Sequence, residues 1–173
     1  MSSPATGNFV SVSAVIRAPL TSVWHLIKLQ DFAKWWSALE KSAPAEKGVS
    51  GEADVYSWTF KASQVECWSA RNRETDLHPT HEQDGTSLLV KQEEHSALRH
   101  SISYSVVTSE QPLSYSSVIS TISLAAVTTG ELAGSTFVTW TGQFSSDADA
   151  GVVEDAKYKR EEALADLAKA VKA

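Results

Sequence analysis

Between Asn8 and Arg17 apolar and polar residues alternate. Val10, Val12, Ala14 and Ile16 share one face and Ser11 and Ser13 the other, the period-2 pattern of a half-buried strand. Pro19 then stands where a first helical residue belongs, and Leu20, Val23, Trp24 and Ile27 follow at spacing i, i+3, i+4, i+7, which predicts a short amphipathic helix. A second one is expected with Asp31 as its cap and Phe32, Trp35, Trp36 and Leu39 as its buried stripe. Ala43 to Gly51 reads as a Pro/Gly/Ser-punctuated connection, and Val55 to Phe60 as a strand rich in aromatic and β-branched residues. Asp84-Gly85 is a hairpin turn signal, and Thr86 to Glu94 reads as the strand leaving it. Further strands fit Ser101 to Thr108, with Ile102, Tyr104 and Val106 on one face, Ser114 to Val127, and Ser135 to Phe144. In the last of these Val138, Trp140, Gly142 and Phe144 fall on one side, with the glycine read as a bulge or bend. Short connections between successive strands argue for an antiparallel meander. Asp149 can cap a long final helix whose stripe, Val153, Ala156, Arg160, Ala163, Leu164, Leu167 and Val171, is interrupted by one charge. On its other face Asp155 with Lys159 and Lys157 with Glu161 read as solvated pairs, each worth about 0.3–0.5 kcal/mol.

The whole is a chain of 173 residues with no internal repeat, a length that suits one core and hence a single domain over 1–173. A hydrophobic fraction of 42% and a charged fraction of 21% are those of a globular protein. The net charge of −6 repels phosphate backbones and anionic lipid, so no nucleic-acid partner is expected. No segment is long and apolar enough to predict membrane insertion, and the first ten residues lack the basic and apolar stretches of an export signal. With one cysteine, Cys67, no internal disulfide can form, which fits a reducing, cytoplasmic compartment. Cys67, His78 and His81 are too widely spaced for a metal site, and no dinucleotide fingerprint, phosphate-binding glycine loop or Ser-His-Asp order is present. Neither a metal nor a cofactor is therefore expected.

The order strand, two short helices, about six strands and a long helix carries a set of short motifs at characteristic places. They are Ala18-Pro19-Leu20-Thr21-Ser22-Val23-Trp24, Trp35-Trp36, Lys91-Gln92-Glu93-Glu94, Ser101-Ile102-Ser103-Tyr104, Val118-Ile119-Ser120-Thr121-Ile122, Thr139-Trp140 and the closing Tyr158 to Leu167. In these the chain resembles the START-like superfamily, which includes birch-pollen-allergen-type, polyketide cyclase/dehydrase-like and lachrymatory-factor-synthase-like proteins. The resemblance implies an α+β helix-grip fold, a curved antiparallel sheet wrapped around the C-terminal helix with two short helices after the first strand. Such a sheet cannot close on a straight helix along its whole length, and a cavity of roughly 300–1,000 Å³ is expected between them.

Tyr104 and Trp140 are expected to line the cavity by the resemblance and strand parity, and Tyr56, Trp58, Trp36 and Tyr158 are further candidate lining residues, whereas Trp24, Phe32 and Leu39 are expected to pack on the sheet. Glu93 is the candidate catalytic residue. A carboxylate directed into an apolar cavity would have a raised pKa and could move a proton. Glu93 and Tyr104 match motif positions of lachrymatory-factor-synthase-like enzymes, but the Arg of that motif falls on or near Tyr56. Glu94 has the opposite parity and is expected to face water. One departure from the family pattern is a polar insertion, Lys61 to Gln83, expected to be an exposed excursion in which Val65, Cys67 and Trp68 extend the hairpin or cover the cavity mouth as a lid, or else retained intron sequence. The first functional expectation is binding of a small hydrophobic molecule by a monomer or weak homodimer. The others are a cyclase- or lyase-type enzyme with Glu93 as proton shuttle, and a ligand-controlled interaction module.

Overall fold

A computed structural model describes residues 7–45, 54–61 and 86–171. Seven strands form one antiparallel sheet in the order β1-β7-β6-β5-β4-β3-β2. They are β1 (Phe9–Ile16), β2 (Leu39–Pro44), β3 (Val55–Phe60), β4 (Ser87–Ser96), β5 (Ser101–Ser109), β6 (Val118–Ala126) and β7 (Thr136–Phe144). Helix α1 (Leu20–Trp24) and a 3₁₀ turn (Leu29–Lys34) follow β1, and α2 (Ala150–Ala170) closes the chain.

Alternation sets which face of each strand is covered. In β7 Val138, Trp140, Gly142 and Phe144 are buried, and in β6 Val118, Ser120, Ile122 and Leu124 are. Helix α2 lays Arg160, Ala163, Leu164 and Leu167 against that covered face. The Asp149 carboxylate accepts the Val152 N–H at 2.9 Å, so the first turn of α2 is capped as its sequence suggests. Two register shifts in the β4–β5 ladder, between Leu89 and Val90 and between Gln92 and Glu94, insert extra residues that increase local bending and help the sheet curve.

The first connection differs from the expected tandem helices. Asp31 does not cap a helix: it lies within the 3₁₀ turn, which follows Lys28, and its carboxylate pairs with Lys34 at 2.8 Å. Phe32, Trp35, Trp36 and Leu39 are all buried, but across the turn, the loop after it and the start of β2 rather than along one helix. The second strand occupies Leu39–Pro44, partly where a connection was expected. It is an edge strand whose residues after Leu39 are polar or small and mostly exposed, so it has little apolar alternation to read, and its terminal proline is tolerated there. Strand β6 starts at Val118 instead of Ser114, which leaves residues 110–117 as a loop over one end of the sheet. Gly142 is neither bulge nor bend, because β7 keeps continuous register there with both neighbours, opposite Val10 and Ser120. The Asp84-Gly85 turn, most of the Lys61 to Gln83 insertion, and Cys67, His78 and His81 lie outside the described residues.

Candidate functional site

Aromatic side chains from four directions converge beneath α2. Phe32, from the 3₁₀ turn, stacks on Trp58 of β3 with centroids 4.9 Å apart, and Trp58 meets Tyr104 of β5 at 5.3 Å. Trp36 meets Trp140 of β7 edge to face at 5.5 Å. Two indoles are anchored to the backbone: Trp35 donates to the Leu26 carbonyl at 2.9 Å and Trp58 to the Leu29 carbonyl at 2.7 Å. The indole N–H groups of Trp36 and Trp140 are buried and make no hydrogen bond of good geometry among the described residues.

These rings do not fill the space. A cavity of about 770 Å³ remains between the sheet and the N-terminal half of α2. Its deep walls are Trp36, Trp58, Val90, Tyr104, Ser120, Trp140 and Arg160, and its mouth is formed by Lys61, Thr86, the 111–115 loop, Asp155, Tyr158, Lys159 and Glu162. A smaller surface depression of about 370 Å³, between Arg17–Pro19 and the 131–135 turn, has no aromatic lining.

Of the expected lining residues, Trp36, Trp58, Tyr104 and Trp140 come together as buried walls and Tyr158 stands at the rim, 68% exposed. Tyr56 is half-buried and packs against the core but does not line the cavity. Phe32 and Leu39 pack into the core as expected, while Trp24 is half-buried against the rings of His95 and His100, at 5.1 and 5.4 Å. Glu93 is not in the cavity. It is the extra residue of the bulge between Gln92 and Glu94, it is exposed, and its carboxylate accepts the Ser105 hydroxyl at 2.6 Å. Ser105 pairs with Lys91 and with the exposed Ile119, so this bond lies on the outer face of the sheet. The inward placement rested on the motif resemblance, whereas alternation from the buried Val90 already puts Glu93 on the outer face. Glu94 is exposed, as expected.

The charge in the cavity comes instead from the helix. Arg160 is only 8% exposed, and the structure shows how the fold admits it. One terminal nitrogen, Nη2, donates to Ser120 Oγ at 3.0 Å and the other, Nη1, to the Ala156 carbonyl at 2.9 Å, while Nε has no partner. The guanidinium carbon lies 5.7 Å from the Trp140 ring centroid and 5.9 Å from that of Phe144, within cation–π range. A β-carbon on Gly142 would come within 2.6 Å of Nη2, so the glycine leaves the space the guanidinium occupies. Among the described residues no carboxylate forms an ion pair with it. Burial pulls the Arg160 pKa down, and the phenols of Tyr104 and Tyr115 act against that. Burial likewise pushes the Tyr104 phenol up, partly offset by the Arg160 charge and by neighbouring Ser120 and Trp140. Sequence reasoning registered Arg160 only as a charge interrupting an apolar stripe and Gly142 only as a bend. Those two irregularities, on elements that face each other, were the available signal.

The architecture, a curved seven-stranded antiparallel sheet gripping a C-terminal helix with short helical elements after the first strand, is the START-like helix-grip fold. Residues 9–172 match the family described as polyketide cyclase / dehydrase and lipid transport, and the chain belongs to that family. Among solved structures it is similar to an uncharacterized protein from Bacillus thuringiensis, with TM-score 0.69 and 17% identity over 95% of this chain and 99% of that one. A START superfamily protein from Mycobacterium smegmatis aligns with TM-score 0.57 and 10% identity, over 94% and 93% of the two chains. The di-domain ARO/CYC protein BexL of the BE-7585A biosynthetic pathway aligns with TM-score 0.66 and 13% identity, over 95% of this chain and 46% of that one. No curated protein sequence matches it significantly. Among the described residues no helix is long and apolar enough to cross a membrane, and no group of acidic, histidine or cysteine side chains could hold a metal ion.

Proposed function

We propose that this protein binds one small hydrophobic molecule in the cavity between its sheet and α2. The observation that carries the reading is the unfilled space of about 770 Å³, walled by Trp36, Trp58, Tyr104 and Trp140. A cavity of this size that opens at one end and has an aromatic floor offers a ligand extensive dispersion contacts and the burial of its apolar surface. Its volume falls within the usual range for small-molecule sites. Membership of a family described by cyclase, dehydrase and lipid-transport activity supports the same reading.

The cyclase- or lyase-type alternative gains less support. As first framed it needs Glu93 as a proton shuttle inside the cavity, and that carboxylate is exposed and bonded to Ser105. Titration with the neutral probe N-phenyl-1-naphthylamine tests the binding reading. Saturable one-to-one fluorescence enhancement is expected, and it should be lost in Val106→Trp, which puts a large side chain on a lining position. Enhancement that does not saturate, or that persists unchanged in the variant, would place the probe elsewhere and remove the proposal.

A further inference from the structure

The floor of the cavity has a chemical polarity that an apolar ligand alone would not use. Its polar groups are Arg160, the indoles of Trp36 and Trp140, Tyr104 and Ser120. Guanidinium and indole groups donate hydrogen bonds and cannot accept them. Arg160 Nε and the Nε1 atoms of Trp36 and Trp140 make no hydrogen bond of good geometry among the described residues, although the Trp140 indole lies close enough to the Tyr104 phenol to lower its pKa. These three donors belong to neighbouring side chains, with the Trp36 and Trp140 centroids 5.5 Å apart and the Arg160 guanidinium 5.7 Å from Trp140. Carboxylates that line the cavity, Asp155 and Glu162, are confined to its exposed mouth.

A buried cation with no counter-charge is unfavourable unless something compensates it. Cation–π contact with Trp140 and Phe144 and the bonds to Ser120 and Ala156 supply part of that compensation, but none of these partners carries a negative charge. The fold nevertheless makes specific provision for the group. Ser120 is buried on the covered face of β6, and Gly142 opposite it on β7 gives up a side chain where the guanidinium lies.

From this we infer that the ligand is an amphipathic acid, a ring-bearing apolar body with one anionic oxygen group that pairs with Arg160 at the base of the cavity. The inference rests on the ligand-binding reading above and adds the chemical class. Body and head use different parts of the site, the body stacking on aromatic walls and the oxygen group meeting the terminal nitrogens of the guanidinium, whose planar fork suits a carboxylate. A carboxylate there would supply the counter-charge that the described residues do not.

A matched pair of probes tests it: 1-pyrenebutyric acid and its methyl ester, both followed by quenching of tryptophan fluorescence at neutral pH. The wild-type protein is expected to bind the acid at least about tenfold more tightly than the ester, as befits a charged hydrogen bond in a buried site. Arg160→Met is expected to abolish that preference by weakening the acid while leaving ester affinity within about threefold. Should Arg160→Met fail to fold, Ser120→Ala removes the guanidinium's anchor while keeping its charge, and should reduce the preference severalfold. Equal wild-type affinity for acid and ester would overturn the inference while leaving the cavity as a binding site. A preference that survives intact in the folded Arg160→Met variant would overturn it as well. Binding of neither probe would instead count against the ligand-binding reading itself.

Discussion

Gly142→Ala is the smallest change that interrogates the helix–sheet seam. The glycine lies in a regular strand and its φ is outside the left-handed region, so an alanine backbone fits without strain. Restricting the unfolded chain would by itself stabilise the protein by about 0.4–1 kcal/mol. The new methyl group, however, would lie 2.6 Å from Arg160 Nη2, 3.0 Å from Val10 Cγ1 and 3.1 Å from Arg160 Cζ. The guanidinium must move, and its 3.0 Å bond to Ser120 Oγ goes with it. A hydrogen bond to a charged group contributes about 1.5–3 kcal/mol, and overpacking a core position by one methyl costs about 1–3 kcal/mol. Some relief by rotation into the cavity is available, so a net loss of about 2–4 kcal/mol is expected. For a chain of this length that is a fall in Tm of roughly 5–15 °C. Thermal and urea unfolding of Gly142→Ala, Arg160→Met and the double variant form the assay. The cost of the alanine should shrink by about 1.5 kcal/mol or more when Arg160 is absent, because contacting residues couple. A single variant as stable as wild type, or a cost unchanged in the Arg160→Met background, would refute the assignment of Gly142 as the space for Arg160.

Three further outcomes follow from the same structure. Arg160→Met in the ligand-free protein should leave stability within about 1 kcal/mol of wild type or raise it, because the variant replaces a buried unpaired cation with an apolar side chain. A loss well beyond that, in urea unfolding, would mean that Arg160 is chiefly a structural group. Asp149→Ala should cost about 1 kcal/mol by removing the side-chain cap on the Val152 N–H, read as a lower urea midpoint at unchanged slope. The Asp147 carboxyl is held at about 2, below its ordinary 3.8, first by the Ser116 hydroxyl and then by that of Ser145. Because the folded-state value is depressed, the stability this group contributes is complete above 3.8 and is lost as the pH falls through about 2. NMR titration of the Asp147 side chain should show the low value in wild type and its return towards 3.8 in Ser116→Ala; an ordinary value in wild type would contradict the assignment.

The covered faces of β5 and β7 and the stripe of α2 were legible because alternation and helical spacing are strong where an element buries one side only. That pattern put Tyr104 and Trp140 on the covered faces of their strands, and the family resemblance, not the pattern, pointed from there to the cavity wall. Strand β2 was not legible, because an edge strand with exposed polar residues needs no apolar face. Nor was the 3₁₀ turn: burial of Phe32, Trp35, Trp36 and Leu39 is satisfied by an irregular path whose spacing mimics a helix. Glu93 was misplaced because its inward direction was carried over from the motif resemblance, whereas alternation from Leu88 and Val90 already puts it on the outer face. Arg160 required tertiary information. A charge in an apolar stripe can be a solvated boundary as readily as a buried donor, and only the facing Ser120 and Gly142 distinguish the two.

The most direct test of the account is a crystal structure of the protein with 1-pyrenebutyrate. Density for one molecule between β5, β7 and α2, its ring body against Trp36, Trp58 and Trp140 and its carboxylate on the Arg160 guanidinium, is the predicted result. A cavity collapsed onto its own side chains, or the probe bound only on the outer face of the sheet, would contradict it.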